Sequence, residues 1–475
     1  MDKLLEMGEA PLGKLLLKFS LPTVAIMLVN SLYNFVDRIF IGQGMGTDAL
    51  AAVTAGFPMM LVAEGIGTLF VAGAGTLVSI AMGAGRRDEA GSVLGQAFAA
   101  SLAAALPVMV ISWLLMNPIL RLFGTTAAIM PLARTYIGIV TIGFAFQIVS
   151  MAVGNSLRAQ NRPRASMAAT VSGTALNAIL APIFIFVFKW GIAGAAWATV
   201  IAQALSCVLV LAFIQGKGSI LRIEARNFRP KPAILASIGK IGSSLFLVHF
   251  LALVMLMVAN NAMAKFGGAA ALAAIGIINT LSNLLAFPIM GVTQGAGALW
   301  GYNFGAGKID RVKRLTGITL VTTTAIGIVA TAAIELFPRT FISAFNGSDP
   351  RLIELGSRGM TVFMLSFFTF GLQATAANLF LSVGKAGLGG MLYVLRQILT
   401  IAAMAILPGF MGIEGVYWSG PLTDLACTVA ATLVLGFGLR SLKPAPEADE
   451  DLAASGGEGK EEIDGPRSAS EEAIA

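Results

Sequence analysis

The chain has 475 residues, of which 56% are hydrophobic and only 12% charged, and its formal net charge is +7. A soluble protein carries about 25% charged residues, and its helices show polar faces that most segments of this chain lack. Apolar stretches of about 20 residues, the length that crosses a bilayer core, recur along the chain. Composition therefore excludes a soluble protein. It predicts an all-α integral membrane protein, because the short alternating segments that a membrane barrel needs are absent.

Twelve apolar segments, numbered span 1 to span 12 in chain order, are predicted to cross the membrane. Span 1 is too long for the core of a signal peptide, so it is expected to be a retained helix. Spans 2 and 8 are long for one crossing, which predicts tilt or kinks. The approximate bounds are 15–42, 49–82, 91–116, 130–157, 165–188, 191–214, 239–264, 270–303, 313–337, 354–382, 387–409 and 413–438.

Polar segments divide the chain further. A basic linker at 216–238 separates a predicted N-terminal lobe, 15–215, from a C-terminal lobe, 239–440, and a short segment, 1–14, precedes the first lobe. Residues 441–475 form an acidic tail, which from Pro444 onward holds ten acidic and two basic residues. Low hydrophobicity combined with high charge predicts that this tail is disordered.

Basic residues concentrate in the gaps that follow the even-numbered spans. The gap after span 2 holds Arg86 and Arg87, and the gap after span 8 holds Lys308 and Arg311, whereas the opposite gaps are poor in basic residues. The positive-inside rule then predicts that both termini and the basic linker lie in the cytoplasm. We therefore expect a multi-pass protein of the cell membrane.

The two lobes repeat each other in sequence. The segment "ALAAVTAGF" at Ala49 aligns with "ALAAIGIIN" at Ala271, an offset of 222 residues, and without a gap "GAGRRD" at Gly83 falls on "GAGKID" at Gly305. Because six is even, two six-span halves are parallel repeats about an axis along the membrane normal. The repeat predicts two homologous six-helix bundles around a central cavity, an architecture typical of transporters.

Residue types disfavour two other functions. A phosphate-binding loop in "GYNFGAGKI" would need a glycine in place of Tyr302 and a serine or threonine in place of Ile309. A membrane enzyme would need converging reactive side chains, but the chain has a single histidine, His249, and two cysteines. Neither an enzyme nor a metal site is expected, and no nucleic-acid partner is expected.

Carboxylates inside the spans are the strongest candidates for a functional site, because a charge at the membrane midplane is costly and marks an ion or substrate route. Asp37, Glu64 and Asp424 lie in spans 1, 2 and 12. Asn30, Asn34 and Asp37 follow the i, i+4, i+7 spacing that places side chains on one helix face. We expect this polar face to line a cavity.

Three segments resemble the multidrug and toxic compound extrusion (MATE) family: "LPTVAIMLVNSLYNFVDRIFIGQGMGTDALAA", "LNAILAPIFIFVFKWGIAGAAWATVIAQ" and "FMGIEGVYWSGPLTDL". The resemblance covers about residues 10–440. It implies a secondary antiporter of two six-helix bundles that exports lipophilic, often cationic compounds by alternating access. The coupling ion would be H⁺ or Na⁺, with no cofactor. Small organic cations and the lipid bilayer are the expected partners, and we expect the protein to function as a monomer.

The resemblance implies roles for individual residues of the N-terminal lobe. Asp37 matches the acidic residue of the family's first helix, and Pro22 matches the proline at which that helix bends, which makes Pro22 a hinge. Asn177 and Thr199 match polar members of the cation site. Together with Asn34, which shares the face of Asp37, these residues form the predicted cation-coupling site.

The resemblance also implies residues of the substrate cavity, and the chain departs from the family pattern at one position of the fifth helix. Asn30 and Asn155 match polar residues of the substrate chamber. The family's fifth-helix motif reads Leu-Asp-Pro, and here Ala181 stands in place of the aspartate. Losing a hard oxygen ligand weakens a sodium site, whereas a proton needs only one titratable group, so proton coupling is favoured. Glu64, also assigned to the cavity, is the hypothesised replacement for the missing charge.

A flippase for a lipid-linked precursor, from the same broad superfamily, is the alternative function. Such a protein is expected to line its cavity with several cationic side chains that bind pyrophosphate. Arg396 in span 11 is the clear intramembrane candidate beyond Arg38. A single additional arginine gives this alternative little support, and we rank a structural or enzymatic membrane protein third.

Overall fold

The computed structural model describes the backbone of residues 5–122, 125, 127, 129–343 and 350–442. Within these ranges every regular element is helical. Within these ranges the side chains at 5, 30–39, 42–43, 47, 50, 122, 264, 268–270 and 272–273 lie outside the described part.

The described residues contain twelve helices that are long and apolar enough to cross a membrane, so the predicted number and order of spans are confirmed. Spans 2 and 8 have 33 and 32 residues, but they are not exceptional, since spans 7 and 10 have 36 and 33. The spans are Leu12–Val29, Ala51–Gly83, Arg87–Leu114, Met130–Ala159, Pro163–Val187, Gly191–Gln215, Pro232–Gly267, Ala274–Gly305, Ile309–Leu336, Pro350–Ser382, Ala386–Met411 and Ile413–Arg440.

Several spans depart from a simple straight helix. Spans 1 and 2 lie in one helix, Leu12–Gly83, in which Gly46 has non-helical dihedral angles, and spans 7 and 8 lie in the helix Pro232–Gly305. Span 5 ends in a π-helical turn, Ile183–Val187, and span 10 is interrupted by a 3₁₀ turn, Phe367–Thr369. The remaining short helices are Leu5–Glu9, Met116–Leu122, Ala225–Phe228, Pro338–Ser343 and Pro408–Met411.

Spans 2 and 8 end in the same way, in the two turns that the sequence repeats. Gly85 and Gly307 have φ of +76° and +70°, a conformation that glycine adopts without steric cost and that commonly ends helices. The turns at 84–86 and 306–308 therefore share one backbone design. We call the end of the molecule that carries these two turns the basic end.

The two long helices cross with their backbones in contact near the basic end. A Cβ atom added to Gly83 would collide with the carbonyl oxygen of Tyr302, and one added to Gly305 would collide with the carbonyl oxygen of Ile80. The two contacts are related by the 222-residue offset of the sequence repeat. Small residues at such a crossing let membrane helices approach closely and gain packing energy.

The hydrophobic core has three main parts, and only one of them joins the lobes. The part that joins the lobes lies at the basic end, and its members come from both halves of the chain. They include Leu15, Phe19, Met82, Leu94, Leu157, Leu299, Trp300, Phe380 and Val383. A second cluster, which includes Ile137 and Phe144, belongs to the N-terminal lobe, and a third, which includes Ile278 and Tyr417, belongs to the C-terminal lobe. Among the described residues, the lobes therefore share a core at the basic end and have separate cores towards the opposite end.

We expect the substitution Gly305→Ala to destabilise the folded protein by roughly 1–3 kcal/mol, the usual cost of overpacking. The added methyl group must displace backbone at Ile80, which cannot rotate away as a side chain could. Thermal unfolding of the purified protein in detergent, followed by tryptophan fluorescence, measures the effect.

Gly317→Ala in span 9 is the matched control, because a Cβ atom there meets nothing within 4 Å. Alanine is also the better helix former, so the control variant should unfold at or slightly above the wild-type temperature. Equal unfolding temperatures for the two variants would contradict the proposed role of the crossing.

Candidate functional site

Asn177 and Thr199, two predicted members of the cation-coupling site, are brought together in the N-terminal lobe. The side-chain amide of Asn177 in span 5 donates to the hydroxyl of Thr199 in span 6, at 3.2 Å. Both residues are buried, with exposed fractions of 2% and 5%. Among the described residues the Oδ1 atom of Asn177 accepts no hydrogen bond. A buried amide oxygen without a donor is costly, so this atom is available to a proton donor or a cation.

The position of the missing carboxylate is apolar. Ala181 lies one helical turn beyond Asn177 and is buried in a small hydrophobic cluster with Phe184 and Ala198. Ala198 directly precedes Thr199, so the apolar cluster borders the Asn177–Thr199 pair. In this part of the lobe the described side chains thus offer neutral oxygen atoms and no charge.

The span 1 residues of the prediction have a described backbone only. Asn30, Asn34 and Asp37 belong to the helix Leu12–Gly83, but their side chains lie outside the described residues. Pro22 is buried in the same helix, and the chain is helical through it, since Gly46 is the residue at which this helix departs from helical geometry. The hinge role of Pro22 remains a prediction.

Asn155 and Glu64 lie on spans 4 and 2, each in a different setting. The amide of Asn155 donates to the carbonyl oxygen of Val71 at 2.8 Å and accepts from Nε of Arg158 at 2.7 Å, so it ties span 4 to span 2. Glu64 is exposed and lies two turns from Val71 on the same helix face. Their roles in a substrate cavity remain predictions.

Two charged residues of the C-terminal lobe, which the sequence analysis named separately, form an ion pair that it did not predict. The guanidinium of Arg396 in span 11 contacts Oδ1 of Asp424 in span 12, with Nη2 at 3.1 Å and Nε at 3.2 Å. Ser366 of span 10 donates to the other carboxylate oxygen at 3.1 Å. Both charges lie near the middle of their spans. Opposite charges at matched depth in neighbouring spans are the signal that could have predicted this pair.

The N-terminal segment, residues 5–11, binds the N-terminal lobe through Glu6. Lys18 of span 1 donates to both carboxylate oxygens of Glu6 at 2.8 Å, and the amide of Asn161, in the turn after span 4, donates to one of them at 3.0 Å. These hydrogen bonds favour the ionised carboxylate and hold the pKa of Glu6 below its ordinary value of 4.5.

The same segment binds the C-terminal lobe through its backbone. Its carbonyl oxygens at residues 7, 8 and 10 accept hydrogen bonds from Asn303 at 3.2 Å, Lys308 at 3.0 Å and Arg311 at 2.8 Å. The side chain of Met7 is fully buried in the core that joins the lobes. The segment therefore connects both lobes at the basic end.

We expect Glu6→Gln to lower the unfolding temperature at neutral pH, because a neutral amide holds Lys18 less strongly than a carboxylate does. The pKa of Glu6 is lowered in the folded protein, so its ionised carboxylate stabilises the fold. This contribution is fully present above pH 4.5, the ordinary pKa, and is lost as the pH falls further. The difference between wild type and variant should therefore be constant above this pH and shrink below it.

Glu224→Gln is the matched control, because Glu224 also forms an ion pair, with Arg226, but within the exposed linker. Exposed ion pairs contribute little, so this variant should unfold with the wild type at every pH. A gap between wild type and Glu6→Gln that does not change with pH would rule out the carboxylate as its cause.

Comparison with protein families gives a match in both lobes. The family model of MatE matches residues 22–183 and 245–406, about two thirds of the chain. The multidrug export protein MepA of Staphylococcus aureus (strain NCTC 8325 / PS 47) is 25% identical over 434 residues, which cover 91% of this chain and 96% of the relative. MepA of Staphylococcus haemolyticus (strain JCSC1435) is 25% identical over 440 residues, which cover 93% and 96%.

Solved structures share the fold. A MOP superfamily transporter from Pyrococcus furiosus superposes with a TM-score of 0.87 at 20% identity, covering 92% of this chain and 98% of that chain. The outward-facing conformation of a multidrug resistance MATE family transporter of the MOP superfamily gives a TM-score of 0.86 at 19% identity, with the same coverage. These likenesses establish that the two-lobe fold is shared.

Proposed function

Since the chain belongs to the MatE family, whose members are multidrug efflux transporters and not enzymes, we propose that it is an antiporter that exports lipophilic organic cations in exchange for protons. The observation that carries the proposal is that, among the described residues, the core shared by the two repeated lobes lies at the basic end. A pair of lobes with one shared core and two separate ones can rock between states that open to opposite sides of the membrane.

The orientation follows from charge. The basic end carries Arg86, Arg87, Lys308 and Arg311, and the positive-inside rule assigns such an end to the cytoplasm. The protein then spans the cell membrane with both termini in the cytoplasm. The shared core closes the cytoplasmic side, so we assign the structure to the outward-open state of the transport cycle.

Proton coupling is supported by the absence of a second carboxylate at position 181 of the N-terminal lobe. Ala181 contributes no carboxylate, and Asn177 and Thr199 contribute neutral oxygen atoms. A sodium ion prefers several hard, preferably anionic oxygen ligands, whereas a proton needs a single titratable group, and Asp37 supplies one. Protonation of Asp37 from the outside would remove its charge and weaken its attraction for a cationic substrate, which then leaves outwards.

The return step requires the basic end to separate. The lobes rock, the crossing at Gly83 and Gly305 opens, and Asp37 releases its proton to the cytoplasm, where its charge can attract the next cation. Each turn of this cycle moves one substrate outwards and protons inwards. Conformational steps of this kind commonly limit the rate of a transport or catalytic cycle.

We expect Asp37→Asn to reduce efflux of ethidium from cells to the level of cells without the transporter, because the variant can neither carry the proton nor attract the cation. The assay follows dye fluorescence in energised cells. Collapse of the proton gradient should abolish efflux by the wild type as well.

Asp310→Asn is the matched control: it removes the same charge from an exposed position in the first turn of span 9. This variant should export ethidium at the wild-type rate, at equal amounts of protein in the membrane. Full efflux by Asp37→Asn would overturn the role proposed for this carboxylate.

Sodium should not affect transport. We expect efflux measured at fixed pH and fixed membrane potential to be the same when sodium is replaced by potassium, since Ala181 stands where the second carboxylate of a sodium site would be. Efflux that rises with sodium concentration would show that the coupling ion is sodium, with Glu64 as the first candidate for the missing ligand charge.

The flippase alternative receives no support from the C-terminal lobe. Its candidate cation, Arg396, is held in an ion pair with Asp424. A guanidinium that is neutralised in this way adds little to the binding of a pyrophosphate group, which needs several uncompensated positive charges.

A further inference from the structure

We propose that the carboxylate of Asp424 is a second binding site for organic cations, located in the C-terminal lobe, and that Arg396 occupies it when no substrate is bound. The inference rests on the proposed function, because it names a site for the same class of substrate. It concerns residues that lie in a different lobe from the predicted coupling residues.

The carboxylate is positioned by three neighbouring spans. Asp424 is only 4% exposed, and its two oxygen atoms accept from Arg396 of span 11 and from Ser366 of span 10. A carboxylate buried within a membrane span is costly unless it serves a function and has a cationic partner. Here the partner is a side chain of the protein, and it leaves on rotation about its own flexible bonds.

Aromatic rings complete the site in the way that organic cations require. The guanidinium carbon of Arg396 lies 5.2 Å from the ring centroid of Phe370. The ring of Phe370 in turn stacks on Phe367, with centroids 5.7 Å apart. A cation between a carboxylate and an aromatic face gains both charge pairing and cation–π attraction. The planar guanidinium thus occupies the place of a planar organic cation.

The helix that supplies Ser366 and both rings is broken at this depth. Span 10 runs as a helix over Pro350–Met364, passes through the turn Phe367–Thr369, and resumes at Phe370–Ser382. Inside a membrane such breaks are tolerated only within protein or beside a water-filled cavity. In transporters they recur at substrate and ion sites.

An unused polar atom lies beside the break. Gln373, 6% exposed, donates through Nε2 to the carbonyl oxygen of Asp424 at 3.0 Å and to the hydroxyl of Thr428 at 3.1 Å. Its Oε1 atom accepts no hydrogen bond from any described residue. The cluster therefore holds more acceptor capacity than its own side chains use, which suits a site that receives a ligand donor or water.

The site is accessible from one side. The side chain of Arg396 is 34% exposed, in contrast to the buried carboxylate. Since an arginine facing lipid at mid-span is costly, its exposed surface is expected to face an aqueous cavity. An incoming cation that displaces Arg396 leaves the carboxylate compensated throughout, because one positive charge replaces another.

Binding of ethidium to the purified protein, followed by fluorescence anisotropy, tests the proposal through two variants with opposite expected effects. Arg396→Gln removes the competing cation and should tighten binding about tenfold, whereas Asp424→Asn should weaken it about tenfold, the effect of one close charge pair. The double variant should bind as weakly as Asp424→Asn alone. A purely structural ion pair would weaken binding in both single variants, and that result would overturn the proposal.

Phe370→Leu keeps both charges and so tests the site even if a charge variant fails to fold. It should weaken binding about threefold, the lower range of a cation–π contact. Phe410→Leu is the matched control and should bind like the wild type. Phe410 is 84% exposed and lies between spans 11 and 12, at the end of the lobe opposite to the basic end. Equal affinities of the two variants would contradict the aromatic part of the site.

Binding and export of ethidium by the wild-type protein distinguish a failure of the Asp424 site from a failure of the antiporter function. If it exports and binds ethidium but no C-terminal-lobe variant changes the affinity, the site at Asp424 is wrong and the antiporter function stands. If the wild type neither binds nor exports any organic cation, the proposed function fails and the site fails with it. Tighter binding of an anionic dye to Asp424→Asn, with no change for ethidium, would instead identify Arg396 as an anion site.

Discussion

The architecture depends on the crossing of two helices at a pair of repeat-related glycines. Gly83 and Gly305 let the backbones of spans 2 and 8 touch, and the core that joins the lobes surrounds this contact. Within a membrane, helices gain little from hydrophobic exclusion and rely on close packing, which small residues permit. Among the described residues the core shared by the lobes lies at this end, so the contact that stabilises the protein is also the one that must open in the proposed return step.

The sequence predicts those features that are local in the chain. Span length and span order are each read from one stretch at a time, the repeat follows from comparing two such stretches, and the number and order of the twelve spans are confirmed. The contact between Arg396 and Asp424 depends on which faces of two helices meet, and residue types alone do not determine those faces. The contacts of residues 7, 8 and 10 are even less predictable, because backbone carbonyl oxygens accept them and no side-chain type marks the position.

The two lobes repeat the fold without repeating the chemistry. When Gly412 is aligned with Gly191, Asp424 falls on Gln203, whose amide bonds to Gln147 at 3.3 Å. An amide pair in one lobe thus corresponds to a carboxylate in the other. In the N-terminal lobe Asp37 is the predicted charge, whereas in the C-terminal lobe the described charge is compensated within the protein.

The N-terminal segment also bears on how the protein is assembled. Asn303, Lys308 and Arg311 bind carbonyl oxygens of residues 5–11, yet they are synthesised some 300 residues after them. At translation rates of about 5–20 residues per second, the segment waits roughly 15–60 s for these partners. Docking of the segment is therefore a late event in biogenesis that can occur only after span 8 is inserted, and a bulky amino-terminal fusion would hinder this final step more than the insertion of any helix.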